Sequence, residues 1–331
     1  MLAASTTTDY APNTGSLGPL YFGGGEHGPG TVCDGELSQI AYYNVALPPS
    51  AIAAHFASGT GGAAQWWEPT SSDLPWQWEI DHALNTSSAS DMGTGITAWN
   101  GDTSPGDNPR AYDIDAVLNS ASTVSTLHLE GNKAVCYIEV GSAGNHYSAA
   151  QEGIPTTYNA QLSAGGDLGV KMPGYNEYYL DILNSSTVSI IESMIDQQCA
   201  AKGFDAVETD IDEEYGETSD FGLTKVEEET YMATLANYMH GLGLAWMIKD
   251  SDDTGDSHPA DMEPLADLVL TEQCNQYATC SLLDSYIGKK PILNAEYAPQ
   301  TTSEFCAADI ANGFIGEVFP VALTGGRSPC R

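Results

Sequence analysis

The stretch Gly203-Phe204-Asp205-Ala206-Val207-Glu208-Thr209-Asp210-Ile211-Asp212-Glu213-Glu214-Tyr215 decides how the rest of the chain is read. Gly203 suits the left-handed residue that ends a helix, and Phe204 to Val207 is a short apolar run of strand character. Five carboxylates then fall within the seven residues Glu208 to Glu214. Like charges packed that closely repel one another. The chain either leaves them in water as an acidic loop or puts them to use. A strand ending in acids is how a parallel α/β barrel presents catalytic groups, at the C-terminal ends of its strands.

Outward from this stretch, short apolar runs alternate with helical patterns from Leu74 onward, the signature of repeated β-α units. The expected strands are Trp76–Ile80, Ala111–Asp115, Ala134–Val140, Gly169–Lys171 with Tyr178–Ile182, Phe204–Val207, Ala245–Ile248, Leu268–Thr271 and Pro291–Ala295. Counting the fourth pair as one unit gives the eight strands that close a (β/α)8 barrel. Val188, Ile191, Ile195 and Cys199 recur at helical spacing before Gly203. Thr224 with Glu227 reads as a capping box, followed by the stripe Tyr231, Leu235, Tyr238 and Leu242. His240 stands near the end of that helix, where a cation suits the dipole. The expected fold class is α/β, a TIM-type barrel over residues 75–331, reached through a Gly/Ala/Ser/Thr-rich linker over residues 61–74. Trp66 and Trp67 in that linker are expected to dock on the barrel.

The composition narrows the partners. The chain has 331 residues, 45 Asp and Glu against 10 Lys and Arg, and a formal net charge of −35. Such a surface repels nucleic acid and anionic lipid, and attracts polycationic ligands. Adaptation to a salty or extracellular medium would produce the same balance, and composition does not separate the two. Seven cysteines in a Gly/Ser/Thr-rich chain point to an oxidising, extracellular compartment. With no Cys-x-x-Cys pair and scattered histidines, no zinc site is expected. Asp250 to Asp256 resembles a calcium loop but has Asp261 where the closing Glu would stand, so no metal and no other cofactor is expected. No run is long and apolar enough to enter a membrane. The opening residues lack the basic and apolar parts of a secretory signal, which is expected upstream of this chain.

Residues 1–60 read as a partial all-β segment. Leu37, Ile40 and Tyr42 suggest a half-buried strand, stopped by Pro48 and Pro49, and Ser50 can cap a helix from Ala51 to Ala57 that ends at Gly59. Residues 20–60 resemble the last strands and closing helix of laminin-G-like, concanavalin-type sandwich domains. A two-sheet core cannot close from its last strands alone. The segment is therefore expected to be the tail of a domain whose earlier part, with the partner of Cys33, is absent.

The strand ends collect acids and aromatics: Trp76 and Trp78, Asp113, Tyr137 and Glu139, Asp181, Glu208 and Asp210 with Asp212 and Tyr215 beyond, Lys249 and Asp250, Glu272, and Glu296. Only alternate residues of a strand point inward, so some of these must be structural. Paired carboxylates without a Ser–His pair are the equipment of glycosidic bond cleavage. Indole and phenol rings offer flat faces for pyranose stacking, the role expected of Trp76 or Trp78. Lys249 reads as a charge-neutralising partner for its neighbours. The residues alone do not choose between Asp210 and Asp212.

The ordered pieces Trp76-Gln77-Trp78, Tyr112-Asp113-Ile114-Asp115, Tyr137-Ile138-Glu139, Tyr179-Leu180-Asp181, Glu208-Thr209-Asp210, Lys249-Asp250, Glu272-Gln273-Cys274 and Glu296-Tyr297 resemble glycoside hydrolase family 114 over residues 75–298. The resemblance implies a (β/α)8 barrel acting as a secreted endo-α-1,4-polygalactosaminidase on deacetylated galactosaminogalactan, a polycationic amino-sugar polysaccharide. It implies Asp210 and Glu272 as the catalytic pair, and the other strand-end groups named above are expected to bind substrate. It also implies a Cys274–Cys280 bridge beside Glu272. Cys306 and Cys330 could form a second bridge, and Cys136 and Cys199 read as apolar core thiols. The family usually has Glu-Pro-Asp-Asn-Val-Asp after the fifth strand, where this chain has Glu208-Thr209-Asp210-Ile211-Asp212-Glu213. That departure leaves substrate preference open. The alternatives are a hydrolase of another α-linked amino-sugar or galactan polymer, and an inactive carbohydrate-binding barrel. A monomer is expected; which carboxylate is the acid, and whether configuration is retained, stay open.

Overall fold

The computed structural model describes residues 65–70, 74–96, 108–144, 155–211, 214–250 and 258–330. All of them belong to the second of two compact units, Ala46–Arg331. The sandwich-like segment over residues 1–60 and the calcium-like loop beyond Asp250 lie outside the described residues, as does Asp212.

In chain order the first half comprises β1 (Trp76–Glu79), β2 (Ala111–Asp115), α1 (Ala121–Leu129), β3 (Lys133–Glu139), β4 (Ser142–Ala143), α2 (Thr156–Gly165), β5 (Leu168–Lys171) and β6 (Tyr178–Leu180). Then come α3 (Ser185–Met194), continued by a π-helical turn over Ile195–Ala200, β7 (Ala206–Asp210), α4 (Lys225–Leu242), β8 (Ala245–Lys249), α5 (Pro259–Met262) and β9 (Leu268–Glu272). The chain finishes with α6 (Cys274–Tyr277), a 3-10 stretch (Cys280–Tyr286), β10 (Ile292–Tyr297), α7 (Thr302–Asn312), β11 (Ile315–Phe319) and β12 (Ser328–Pro329).

The main sheet runs β1-β2-β3-β7-β8-β9-β10-β11-β12, parallel except for the last pair. Eight parallel strands are present, but they are not the eight that the sequence suggests. The expected fourth strand, Gly169–Lys171 with Tyr178–Ile182, lies in a separate antiparallel sheet of order β4-β6-β5, and β3 pairs directly with β7. The vacancy in the count is filled by β11. Its sequence, Ile-Gly-Glu-Val-Phe, carries a Gly and an acid in five residues, which weakens its strand signal. The key strand also starts later than expected: it runs Ala206–Asp210, so Glu208 and Asp210 are strand residues with fixed facing.

Alternation divides each strand into two faces. Trp76, Trp78, Val135, Tyr137, Ala206, Met247, Leu270 and Phe319 belong to the barrel interior. Tyr112, Cys136, Ile138, Val207, Trp246 and Ile292 face the helices, where they meet Leu127, Ile191, Leu235 and Met239. Thr224 and Glu227 form the expected reciprocal cap of α4. Cys274–Cys280 and Cys306–Cys330 are bridged. So are Cys136 and Cys199, read above as free core thiols: the π-helical turn brings Cys199 over β3, closing a loop of sequence separation 63. In chain-entropy terms a loop of that size stabilises the fold by roughly 4 kcal/mol.

Trp66 docks as expected. Its indole stacks on His240 at 4.0 Å and donates to Asp267 Oδ1 at 3.0 Å, while Asp267 Oδ2 accepts from the Trp246 N–H and lies 2.8 Å from His240 Nε2. Side chains bridge the seam between β11 and β1. The Trp76 indole N–H donates to the Ile315 carbonyl, and its backbone N–H reaches Glu317 Oε1 at 3.4 Å. Arg327 donates to the same oxygen at 2.6 Å, and both charged groups are buried. Removing one partner of a buried pair strands the other charge, at a cost of about 3–5 kcal/mol. Arg327→Met should therefore lower the urea-unfolding free energy by about that amount, and adding Glu317→Met should recover most of it. Equal stability of Arg327→Met and wild type would contradict this account of the seam.

Candidate active site

Register sets the site. Asp210 closes β7, Lys249 closes β8 and Glu272 closes β9, and alternation turns all three into the barrel mouth. Lys249 is buried, and its Nζ lies 3.0 Å from Asp210 Oδ1, 2.7 Å from Glu272 Oε1 and 2.8 Å from Asp250 Oδ2. A single ammonium thus ties the ends of three adjacent strands. The Tyr137 hydroxyl donates to Asp210 Oδ2 at 2.6 Å, and the Ile211 N–H to Asp210 Oδ1 at 2.9 Å. The Tyr297 hydroxyl donates to Glu272 Oε2, and the Glu272 N–H donates to Asp250 Oδ1 at 2.7 Å. Burial, then the charge of Glu272, pushes the Tyr297 phenol far above its ordinary value, so it stays a donor. Each carboxylate has its own tyrosine and shares the lysine.

Immediately after each of these strand ends the backbone turns left-handed: Ile211 at φ 57, Asp250 at φ 49 and Gln273 at φ 57. That region is costly for a side-chain-bearing residue, most of all for β-branched Ile211. The strain ends each strand at the residue that carries the chemistry. Gly141, following β3, permits the packing: a Cβ there would stand 1.7 Å from the Ile211 carbonyl oxygen.

Beneath this layer Asp113 of β2 and Glu208 of β7 are both buried, on either side of β3. Burial raises both carboxyls above the ordinary range, and the charge of Asp113 adds to the rise at Glu208. Glu139 lies opposite Asp210 in the β3–β7 register. Its Oε2 is 2.7 Å from the Ser142 hydroxyl, which lies 2.9 Å from Glu177 Oε2.

Five of the expected residues sit elsewhere. Trp76 and Trp78 are inside the barrel, 0% and 1% exposed, with no face open to a sugar. Trp78 instead backs Tyr297, ring centroids 6.5 Å apart. Glu296 has the opposite facing from Tyr297. It points to the helix layer, where it accepts from the Asn275 N–H at 2.9 Å. Asp181 follows β6 of the small sheet and accepts from the Leu183 N–H in a turn. Tyr215 donates its backbone N–H to Glu228, and its ring lies edge-on to His258. Tyr297, Ser142 and Glu177 went unassigned above. Counting inward positions forward from Leu293 and Ala295 chooses Tyr297 over Glu296. Nothing local in the sequence ties Ser142 and Glu177 to the site.

Among the described residues no cluster of His, Cys, Asp and Glu has the geometry of a metal site, and no helix is long and apolar enough to cross a membrane. The family model described as glycoside-hydrolase family GH114 matches residues 56–322. No curated protein matches the sequence. Among solved structures, Ega3 of Aspergillus fumigatus, in complex with galactosamine, is similar with a TM-score of 0.63 at 24% identity. That match covers 80% of this chain and 98% of that one. The glycoside hydrolase domain of PelA from Pseudomonas aeruginosa is similar at TM-score 0.51 and 15% identity, covering 77% of this chain and 96% of that one. At these identities the likeness is one of fold.

The acids behind the mouth make stability depend on pH. Burial raises Glu214 from 4.5 to about 8, reinforced by Glu228 and Asp181 against a Ser219 hydrogen bond. Burial likewise raises Glu79 to about 9. Between the ordinary value and the raised one the folded state holds a proton that the unfolded state has released, so stability falls as pH rises. The unfolding free energy should therefore decline from pH 5 to pH 8. Glu214→Gln should make that decline shallower by up to about 1.4 kcal/mol per pH unit. Urea titrations across this range with the same slope for both proteins would refute it.

Proposed function

The chain belongs to glycoside-hydrolase family GH114, and on that premise we propose that it is an extracellular endo-acting hydrolase of α-1,4-linked polygalactosamine. The observation that carries this reading is the Asp210–Glu272 pair bridged by Lys249 at the barrel mouth. Both carboxylates reach one ammonium, at 3.0 and 2.7 Å, so their near oxygens stand closer together than the roughly 6.5–9.5 Å of an inverting pair. That spacing supports a double displacement with retention of configuration.

Asp210 takes the role of nucleophile. It is held by three donors, Tyr137, Ile211 N–H and Lys249, and is the more buried of the two. Glu272 is a quarter exposed and faces the side from which a leaving group departs and water enters. In the first step the Asp210 carboxylate attacks the anomeric carbon and the glycosidic C–O bond breaks. The proton of Glu272 goes to the departing oxygen. In the second, Glu272 takes a proton from water as that water attacks the anomeric carbon and releases Asp210.

The substrate class follows from charge. A deacetylated galactosamine residue is cationic near neutral pH, and the mouth holds Asp210, Asp250, Glu272 and Glu139 around one lysine. Three disulfides support an oxidising, extracellular setting. The chain is read as a monomer. A related enzyme for another α-linked amino-sugar polymer is the second reading, favoured by Ile211, which stands where the family usually has Asn.

Wild type should depolymerise deacetylated galactosaminogalactan, and Asp210→Asn and Glu272→Gln should each lower kcat by about 1000-fold or more. Proton NMR during cleavage should show new reducing ends first as the α-anomer. Full activity in either variant would rule out the pair. A β-anomeric first product would rule out retention.

A further inference from the structure

A cleft that holds a polysaccharide needs a flat apolar face, and the two indoles expected to supply it are enclosed in the barrel. The small sheet offers one. β4 begins three residues after Glu139 and pairs with β6, Ser142 opposite Tyr179 and Ala143 opposite Tyr178, and β6 pairs with β5. The β5–β6 hairpin turns through Gly174 at φ 87, closed by the Met172 N–H donating to the Glu177 carbonyl at 2.8 Å. Tyr175 stands in this turn.

The hairpin is anchored over the end of the catalytic strand from two sides. Ser142 Oγ lies between Glu139 and Glu177, at 2.7 and 2.9 Å, which ties the hairpin to the strand beside Asp210. On the other side the Val170 N–H donates to the Ser219 carbonyl at 3.3 Å, in the loop that follows β7. The Tyr175 ring is 62% exposed, among the most exposed large apolar side chains of the described residues. Its phenol nevertheless feels the charges of Glu272, Lys249, Asp210 and Glu177. The turn that carries the ring is tied through Glu177 and Ser142 to the strand end beside Asp210, which sets Tyr175 at the rim of the mouth. Glu177, two residues on in the same hairpin, is 9% exposed, with its carboxyl held by Ser142.

We propose that Tyr175 and Glu177 form a subsite for one cationic amino-sugar residue adjoining the cleaved bond. The Tyr175 ring is its platform, and the Glu177 carboxylate accepts a hydrogen bond from its ammonium. The proposal rests on the reading of the mouth as a glycosidase site for amino-sugar polymers. A pyranose presents a face of C–H groups to an aromatic ring, and the negative face of the ring attracts a nearby cation. An N-acetylated residue keeps the first interaction and loses the second, together with the ion pair to Glu177. The subsite therefore selects for deacetylated stretches of the chain.

The test compares Tyr175→Ala, Tyr175→Phe and Glu177→Gln on deacetylated and N-acetylated α-1,4-galactosamine oligomers. It also measures binding of the deacetylated oligomer by calorimetry in an Asp210→Asn background. Tyr175→Ala should raise KM for the deacetylated oligomer about tenfold with little change in kcat, and weaken binding in the Asp210→Asn background by the same factor. Tyr175→Phe should restore KM to within about twofold, since the ring and not the hydroxyl is the platform. Glu177→Gln should raise KM for the deacetylated oligomer and leave the acetylated one unmoved. Wild-type KM and wild-type binding in Tyr175→Ala, with cleavage still dependent on Asp210, would sink the subsite and leave the glycosidase reading standing. Tyr175-dependent binding without cleavage by wild type would sink the glycosidase reading and leave the subsite. Neither binding nor cleavage would sink both.

Discussion

The interaction on which the site depends is the Lys249 ammonium, buried and within 3.0 Å of carboxylates from the ends of three neighbouring strands. A buried cation alone would be too costly to keep, and three carboxylates this close would drive one another apart. Together they fix a geometry that neither could hold separately. β8 contributes the lysine because strand parity places Lys249 on the same face as Ala245 and Met247 of the barrel interior. Asp250 adds a second tie, since its other oxygen accepts the Glu272 N–H and so couples the end of β8 to the start of the turn after β9.

The surroundings serve that geometry in two ways. Left-handed turns at Ile211, Asp250 and Gln273 stop the strands at the working residues, and Gly141 lets the neighbouring loop close over the first of them. Below, burial raises Asp113 and Glu208 above the ordinary carboxyl range, which keeps a second pair of acids from adding their full charge to the mouth. The chain carries a net charge of −35, yet its interior handles charge sparingly. Raised carboxyls, one hydroxyl donor from each of Tyr137 and Tyr297, and the buried cations Lys249 and Arg327 take the place of a larger set of cations.

Much of this was legible in the sequence. Alternating apolar runs gave the barrel class, and the acid-ended strand gave the mouth. The family resemblance then chose Asp210 and Glu272. Facing was harder. Glu296 and Tyr297 are neighbours, and only the starting residue of the strand tells which points inward. The indoles of Trp76 and Trp78 carry the same apolar signal whether they line a cleft or fill a barrel, and here they fill it. The last parallel strand was hidden because Gly316 and Glu317 break its apolar pattern, and the partners that explain Glu317, Arg327 and the Trp76 N–H, lie on other elements. The small sheet imitated a barrel strand because an isolated strand sequence does not reveal its pairing partner. Links such as Ser142 to Glu177 join distant residues and leave no local trace.

Lys249→Met, assayed for kcat on deacetylated galactosaminogalactan beside its thermal unfolding, tests the role of this ammonium most directly. Removing the cation alone leaves the carboxylates around it unpaired, so the variant should melt at a lower temperature than wild type. Assayed below its own melting transition, it should still lose about 100-fold or more in kcat, because Asp210 and Glu272 lose the cation that sets their spacing. A folded Lys249→Met protein that turns over at the wild-type rate would contradict the account.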